Sequence, residues 1–386
     1  MQRKRTWVSL LIAVFAVVAA MLFLWSYAPA KTASGPPRGA WRVAEAVTYE
    51  NLSVFPVVAA KGEMDTTGFA TLDEALTAGD AVVTERGGEI LRRSRDGRGG
   101  PIGLMLEQQA QVSASVNELV LVYRGRKPLL LLAGEVLTGG KQDRIIAKDR
   151  VVPPGAEPLP LNVFCVERGR WSVASAQFGA AQMLVHPSVR ERAMVDKDQG
   201  EVWAAVRSGT TARSGGGGIA AAPTLSAREL QTVVASEAPS ESYRKIYKGQ
   251  RVGQSVEAFA GEVERRFARA VAGLKDERVV GVVVAYGGEL AWADVFASGE
   301  LFDKYWPKLM RSYTVEALAR PRTTERASLD DAREFLAPLK GHETMESEPG
   351  AYRWRQVLEG RYAEIELEAL TPRPVLLHWV KIHRTS

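Results

Sequence analysis

The chain has 386 residues and a formal charge of +5, with 46% of residues hydrophobic and 25% charged. These proportions are those of ordinary globular proteins and exclude a wholly disordered or fibrous chain, while a single apolar run of spanning length excludes a polytopic membrane protein. Three excess cations, Arg3, Lys4 and Arg5, lie in residues 1–30 without an acid, leaving the remaining 356 residues at +2, too little to argue for a nucleic-acid partner.

From Thr6 to Ala30 no residue is charged, and Val8 to Tyr27 is almost wholly apolar. About 20 such residues at roughly 1.5 Å each span the ~30 Å hydrocarbon core as one helix. Residues 1–30 therefore predict a single transmembrane helix that anchors the chain in a membrane. The leading cations hold the N-terminus in the cytoplasm, so the body is expected to be extracytoplasmic (periplasmic). The rival is a signal peptide cleaved near Ala30, with Ala28-Pro29-Ala30 as the small-residue site; the apolar run exceeds the roughly 7–15 residues of a usual signal core. Residues 31–40 are a Pro/Gly/Ser-rich spacer. Cys165 is the single cysteine, so no internal disulfide can form and the body rests on packing.

Residues 41–205 read as a β-rich half. Thr71-Leu-Asp-Glu74 is a capping box before a short helix that Gly79 ends. Apolar runs Leu119–Tyr123, Leu129–Leu132, Arg144–Val152 and Leu161–Val166, separated by Gly, Pro or charged turns, predict strands of an antiparallel sandwich or barrel. Residues 206–225, with Gly215 to Gly218, form a Gly-rich loop and an internal boundary. In the following α/β half, 226–320, Ser226-Ala-Arg-Glu229 is a second capping box, and an amphipathic helix is expected over 255–274. Its apolar positions are Val256, Phe259, Ala260, Val263, Phe267, Ala270, Val271 and Leu274. Val279–Tyr286, Gly287-Gly288 and Leu290–Phe296 read as a hairpin. Ser298 then caps a helix that Pro307 must kink or restart. Residues 321–386 are a C-terminal helix and β-hairpin extension, in which Glu364, Glu366 and Glu368 form a solvated row opposite a strand over 375–383. The expected fold class is thus α+β: a β-sandwich-like half, then an α/β half of hairpins and packed helices, behind one membrane helix.

The densest polar cluster is Gly134-Glu-Val-Leu-Thr-Gly-Gly-Lys-Gln-Asp-Arg144. It is not a phosphate loop: Glu135 stands where the first glycine belongs, Gln142 replaces the metal-binding hydroxyl, and a strand rather than a helix follows. It reads instead as a Gly-rich turn carrying a carboxylate, an amide and two cations, either a solvated hairpin or a site for an anionic ligand. In Asn162-Val-Phe-Cys165-Val-Glu167-Arg-Gly-Arg170-Trp171, alternation turns Cys165 inward, and no histidine nearer than His186 could activate it. His342-Glu343-Thr-Met-Glu346 lacks the second histidine of a zinc-protease motif and reads as a solvent loop. His378 and His383 are five apart on a strand and face opposite ways, so they cannot share a metal. No cofactor and no metal site is implied.

These same stretches, Gly134–Arg144 and Cys165–Trp171, together with Gly281-Val-Val-Val-Ala-Tyr-Gly-Gly288, Asp294-Val-Phe296 and Lys304–Ser312, resemble a bacterial domain family. That family is named for its association with ADP-ribosylglycohydrolases (ARG) and rhodanese-phosphatases. The resemblance covers about residues 50–320 and bridges the Gly-rich loop, which implies that 41–320 is one family domain. The family's name implies a connection to ADP-ribose or other nucleotide-derived metabolites, and it supplies no catalytic residues to carry over.

Three functional expectations follow. The first is a domain that binds or senses a small anionic, nucleotide- or ADP-ribose-like ligand through Glu135, Lys141, Gln142, Arg144, Glu167 and Arg170. The second is a non-enzymatic envelope module that contacts a protein partner, supported by the anchor, the loop and the aromatic-rich Phe302–Tyr313. The third is a hydrolase of phosphorylated or ADP-ribosylated substrates, with Glu135 or Glu167 as general base and the arginines holding a phosphate. The first requires its six side chains to converge.

Overall fold

A computed structural model describes residues 41–60, 66–85, 117–168, 174–208, 241–243, 246, 250–320 and 322–384, all within one unit, Gly35–Ser386. In chain order the N-terminal elements are β1 (Arg42–Val43), β2 (Val47–Tyr49), β3 (Leu52–Ala60), β4 (Ala70–Thr71), α1 (Leu72–Ala78), β5 (Ala81–Glu85), β6 (Glu118–Tyr123) and β7 (Leu129–Leu131). Next come β8 (Glu135–Thr138), β9 (Arg144–Ile146), β10 (Arg150–Val152), β11 (Leu159–Cys165), β12 (Glu167–Arg168), β13 (Gly179–Leu184), α2 (Pro187–Glu191), α3 (Gln199–Ser208) and β14 (Glu241–Ser242). The C-terminal part holds α4 (Gln250–Val271), β15 (Glu277–Tyr286), β16 (Glu289–Phe296), α5 (Gly299–Ala319), α6 (Leu329–Phe335), β17 (His342–Glu348), β18 (Tyr352–Glu359), β19 (Tyr362–Ala369) and β20 (Val375–His383).

Several local signals act as their chemistry requires. The Thr71 hydroxyl accepts from Glu74 N while the Glu74 carboxylate accepts from Thr71 N, and Gly79 closes α1 in the left-handed region. Val256, Phe259, Ala260, Val263 and Phe267 of α4 are buried, whereas Ala270 is exposed and Val271 and Leu274 are only partly covered. Gly287-Gly288 turns β15 into β16 with Tyr286 opposite Glu289, and Ser298 caps α5 through Leu301 N.

The strands form a nine-stranded antiparallel sheet ordered β1-β3-β15-β16-β20-β19-β18-β17, with β2 also on β3. A six-stranded sheet, β13-β8-β9-β11-β6-β5, a three-stranded sheet, β10-β7-β4, and the pair β12-β14 complete the set. The large sheet is covered on both faces, because alternation along a strand sends neighbours to opposite sides. Val282 and Val284 join the core with Phe259, Phe302 and Tyr305 of α4 and α5, while Val283 and Ala285 join Phe335 of α6 and Trp379. A third core under the six-stranded sheet gathers Leu72, Leu121, Leu137, Ile146 and Val163.

The expected layout needs correcting. The protein is mixed α+β with antiparallel sheets, but it is not a sandwich-like half followed by an α/β half: β3 lies hydrogen-bonded against β15 over Leu52–Ala60, and β20 pairs with β16. The early strands, the central hairpin and the C-terminal extension therefore build one sheet. The expected membrane helix is also corrected: among the described residues no helix is long and apolar enough to cross a membrane. The longest, α4, carries Glu257, Glu262, Glu264, Arg265, Arg266 and Arg269. Residues 1–30 lie outside the described residues, as do the Gly-rich loop and the Ser226 capping box.

Smaller expectations also shift. Arg144–Val152 is two strands rather than one, because the intervening turn aims the Asp149 side chain into the interior. Residues 342–346 are the exposed start of β17, not a loop. α5 runs through Pro307, which sits on the exposed face with Asp303, so the carbonyl left without its helical donor faces water. The glutamate row of β19 is not solvated: Glu364 is fully buried, accepts from Leu339 N at 3.1 Å and lies across from Lys381, while Arg353 and Arg355 cover Glu368 and Glu366.

Candidate functional site

The β8–β9 hairpin pairs Val136 with Ile145 and Leu137 with Arg144, and residues 139–143 make its turn. Gly140 has φ +51°, and a Cβ there would lie 2.3 Å from the Phe178 ring and 2.6 Å from Glu85 Oε1, so only glycine fits. β11 lies on the other side of β9 and sets Cys165 opposite Arg144. Gln199 of α3 clamps that end of β11, accepting from Cys165 N and donating to Cys165 O, both at 2.8 Å.

The turn thereby places Gln142, Arg144 and Cys165 together in the interior. The Cys165 thiol donates to Gln142 Oε1 at 3.0 Å, and Arg144 Nη1 donates to the same oxygen at 3.2 Å. Burial pushes the Cys165 thiol up, which outweighs the pull of Arg144 and keeps the sulfur a donor. Two donors on one oxygen fix the orientation of the amide, since reversing it would set N–H against N–H. Its nitrogen must then point the other way. Gln142 Nε2 is buried and has no hydrogen-bond partner. The neighbouring carboxylates accept from main-chain groups: Glu85 Oε1 from Lys141 N at 3.1 Å, Asp143 Oδ1 from Gly139 N at 3.2 Å, and Glu167 Oε2 from Asp143 N at 2.9 Å. Arg144 Nη2 lies 4.0 Å from Glu85.

Of the six expected side chains, Gln142, Arg144 and Glu167 come together. Lys141 joins them through its main chain, with a half-buried side chain. Glu135 does not join the cluster: it accepts from Leu132 N at 2.9 Å and from Lys308 Nζ at 2.7 Å. Lys308 also donates to Asp73 at 2.7 Å. Burial raises the Glu135 carboxyl and would lower the Lys308 ammonium, but Glu135 and Asp73 raise Lys308, so Glu135 is held in a buried ion pair with Lys308. Arg170 lies outside the described residues.

A second cluster escapes sequence reasoning altogether. His378, fully buried on β20, meets Asp149 Oδ2 at 2.6 Å through Nδ1 and Asp294 Oδ1 at 3.1 Å through Nε2. Arg190 of α2 holds Asp294 by two hydrogen bonds of 3.0 Å, and the Tyr313 hydroxyl donates to the same carboxylate. Asp149 in turn accepts from Ala133 N at 2.7 Å. The Arg190 guanidinium packs 4.8 Å from the centre of the Trp292 ring, and Phe296 stacks on His378. Gly134, at φ +89°, makes room: a Cβ there would meet Arg190 Cγ at 2.7 Å.

Burial alone would lower the imidazole, but Asp149 and Asp294 outweigh it and hold His378 at about 9. Burial would raise Asp294, yet Arg190 and His378 keep it far below the usual carboxylate range. Two cations and two anions thus balance in a solvent-sealed chain that ties the turn after β9 and helix α2 to the large sheet. It exposes no nucleophile, and an imidazole already protonated at neutral pH takes up no proton there. The hint available in sequence is a charged residue inside an apolar strand, as in Leu376-Leu-His-Trp-Val380 and Ala291-Trp-Ala-Asp-Val295.

Among the described residues no group of three or more His, Cys, Asp or Glu side chains is placed to hold a metal ion. A family model described as the ARG and Rhodanese-Phosphatase-superfamily-associated Protein domain matches residues 40–381, beyond the expected end near 320 and through most of β20. No curated protein and no solved structure matches the chain.

Proposed function

The chain belongs to the ARG and Rhodanese-Phosphatase-superfamily-associated Protein domain family, and from that premise we propose that it binds or senses a small anionic ligand of nucleotide or ADP-ribose type at the β8–β9 turn. The observation that carries this reading is Gln142 Nε2, a buried amide donor without a partner. Leaving such a donor unsatisfied costs roughly 1–3 kcal/mol, which an acceptor oxygen delivered by a ligand offsets. The feature that supports an anion is a cation beside the amide, set against the charge of three nearby carboxylates. The Arg144 guanidinium stands beside the amide, and Glu85, Asp143 and Glu167 each have an oxygen engaged by a main-chain N–H.

The test is a thermal-shift and calorimetric titration of the full chain with ADP-ribose, AMP and inorganic phosphate. At a hundredfold excess over Kd a true ligand adds about 2.7 kcal/mol of stability. Gln142→Glu keeps the oxygen that Cys165 and Arg144 use but sets a second oxygen against the ligand's. It is expected to abolish the shift while the unliganded protein still melts cooperatively. The reading fails if none of the three compounds binds, or if Gln142→Glu binds as the parent does.

A further inference from the structure

The last strand of the large sheet is left open. Among the described residues β17 pairs only with β18, and its other edge has no neighbouring strand. Glu348 and Tyr352 close that hairpin, and Ala351 N donates to Glu348 O, so the Glu348 carbonyl faces inward. In an antiparallel ladder the N–H and C=O of one residue point to the same side, and the side alternates along the strand. The backbone groups of Glu343, Met345 and Ser347 therefore face outward. Met345 is 53% exposed, the larger of the two exposed large hydrophobic side chains among the described residues.

An open edge usually carries unpaired charge that repels another strand. Here the acids are already neutralised within the chain. Glu343 pairs with Arg355 at 2.9 Å, Glu348 with Arg150 at 2.7 Å, and Glu346 with both Lys148 and Lys197. The strand is also complementary to itself about its centre. With a two-fold axis through Met345, an antiparallel second copy puts His342 opposite Glu348, Glu343 opposite Ser347, Thr344 opposite Glu346, and Met345 opposite Met345. No glutamate faces another, and all three outward residues find partners. Moving the axis to Glu346 sets two glutamates face to face. Moving it to Thr344 leaves Ser347 opposite Gly341, outside the strand.

We propose that β17 is a self-association edge at which a second copy of this chain pairs antiparallel about Met345, joining two nine-stranded sheets into one. The occupant is a second copy because the outward backbone groups, the charge pattern and the apolar centre all match the same strand reversed. This inference is independent of the ligand reading, since β17 shares no residue with the turn at 139–143.

Sedimentation velocity of the full chain, over a dilution series, tests it. The expected result is a concentration-dependent dimer. Met345→Pro removes the central outward N–H at an edge position where proline is tolerated. Met345→Lys sets like charges on the axis. Each is expected to weaken dimerisation at least about tenfold, roughly 1.4 kcal/mol, without changing the melting temperature of the monomer. Met345→Cys is expected to yield a disulfide-linked dimer on mild oxidation, and Tyr362→Cys is not. A monomer at every concentration, a dimer that persists in both Met345→Pro and Met345→Lys, or an edge that captures only an unrelated peptide would overturn the proposal.

Discussion

Raising the pH from near neutrality into the alkaline range should unload His378 and loosen the whole fold. The imidazole is held at about 9 in the folded protein against an ordinary 6.5. A folded value above the unfolded one means that the stabilisation is fully present below pH 6.5 and disappears as the pH rises through about 9. At about 1.4 kcal/mol per pH unit, that gap corresponds to roughly 3 kcal/mol of folding free energy. The groups facing the ring are Asp149, Asp294 and, through Asp294, Arg190 and Tyr313. Among them only His378 changes charge in this window, because burial first, and nearby Asp294 second, raise Tyr313 far above its ordinary range. The unfolding midpoint in guanidinium, followed by the fluorescence of buried Trp292, Trp354 and Trp379, should fall steadily between pH 7 and 9.5 at constant denaturant slope. Asp149→Asn, with one carboxylate fewer on the ring, should make that fall smaller and end it at lower pH. His378→Gln should be less stable at pH 7 and lose the dependence. A midpoint that stays level across the window, or the same slope in His378→Gln, refutes the reasoning.

Two further outcomes follow from backbone positions. Gly134→Ala forces a side chain into left-handed backbone and against Arg190, so it should cost more than about 2 kcal/mol; chemical denaturation measures this. Pro307→Ala restores a helical hydrogen bond on the exposed face of α5 and should raise stability by about 1–3 kcal/mol, visible as a higher melting temperature.

What sequence alone could reveal was local. The Thr71 cap, the Gly79 stop, the Gly287-Gly288 hairpin and the spacing of Val256, Phe259, Val263 and Phe267 act within one or two turns of chain, and each is found where its chemistry predicts. Strand order was not readable, because nothing in Leu52–Ala60 announces that its neighbour lies more than 200 residues on, at Glu277–Tyr286. Glu364 and Glu368 looked solvated because alternation identifies a face but not what covers it, here Leu339 N and Arg353. At the turn, composition singled out Gln142 and Arg144 together. It could not separate Glu135, whose partner Lys308 arrives from α5. The His378 chain was invisible because Ala133, Asp149, Arg190, Asp294, Tyr313 and His378 come from six separate segments.

The place of β20 bears on how the chain is made. Of the described strands it is the last in chain order, yet it sits between β16 and β19 in the middle of the largest sheet. Until residues 375–383 leave the ribosome, the hairpin β15–β16 has a bare flank, and Asp149 and Asp294 lack the imidazole that separates them. The nascent chain must therefore wait for residues 375–383 before this interior can close, a period in which exposed strand edges invite aggregation. A stop codon that removes those residues should leave a product recovered in inclusion bodies rather than a shortened but native domain.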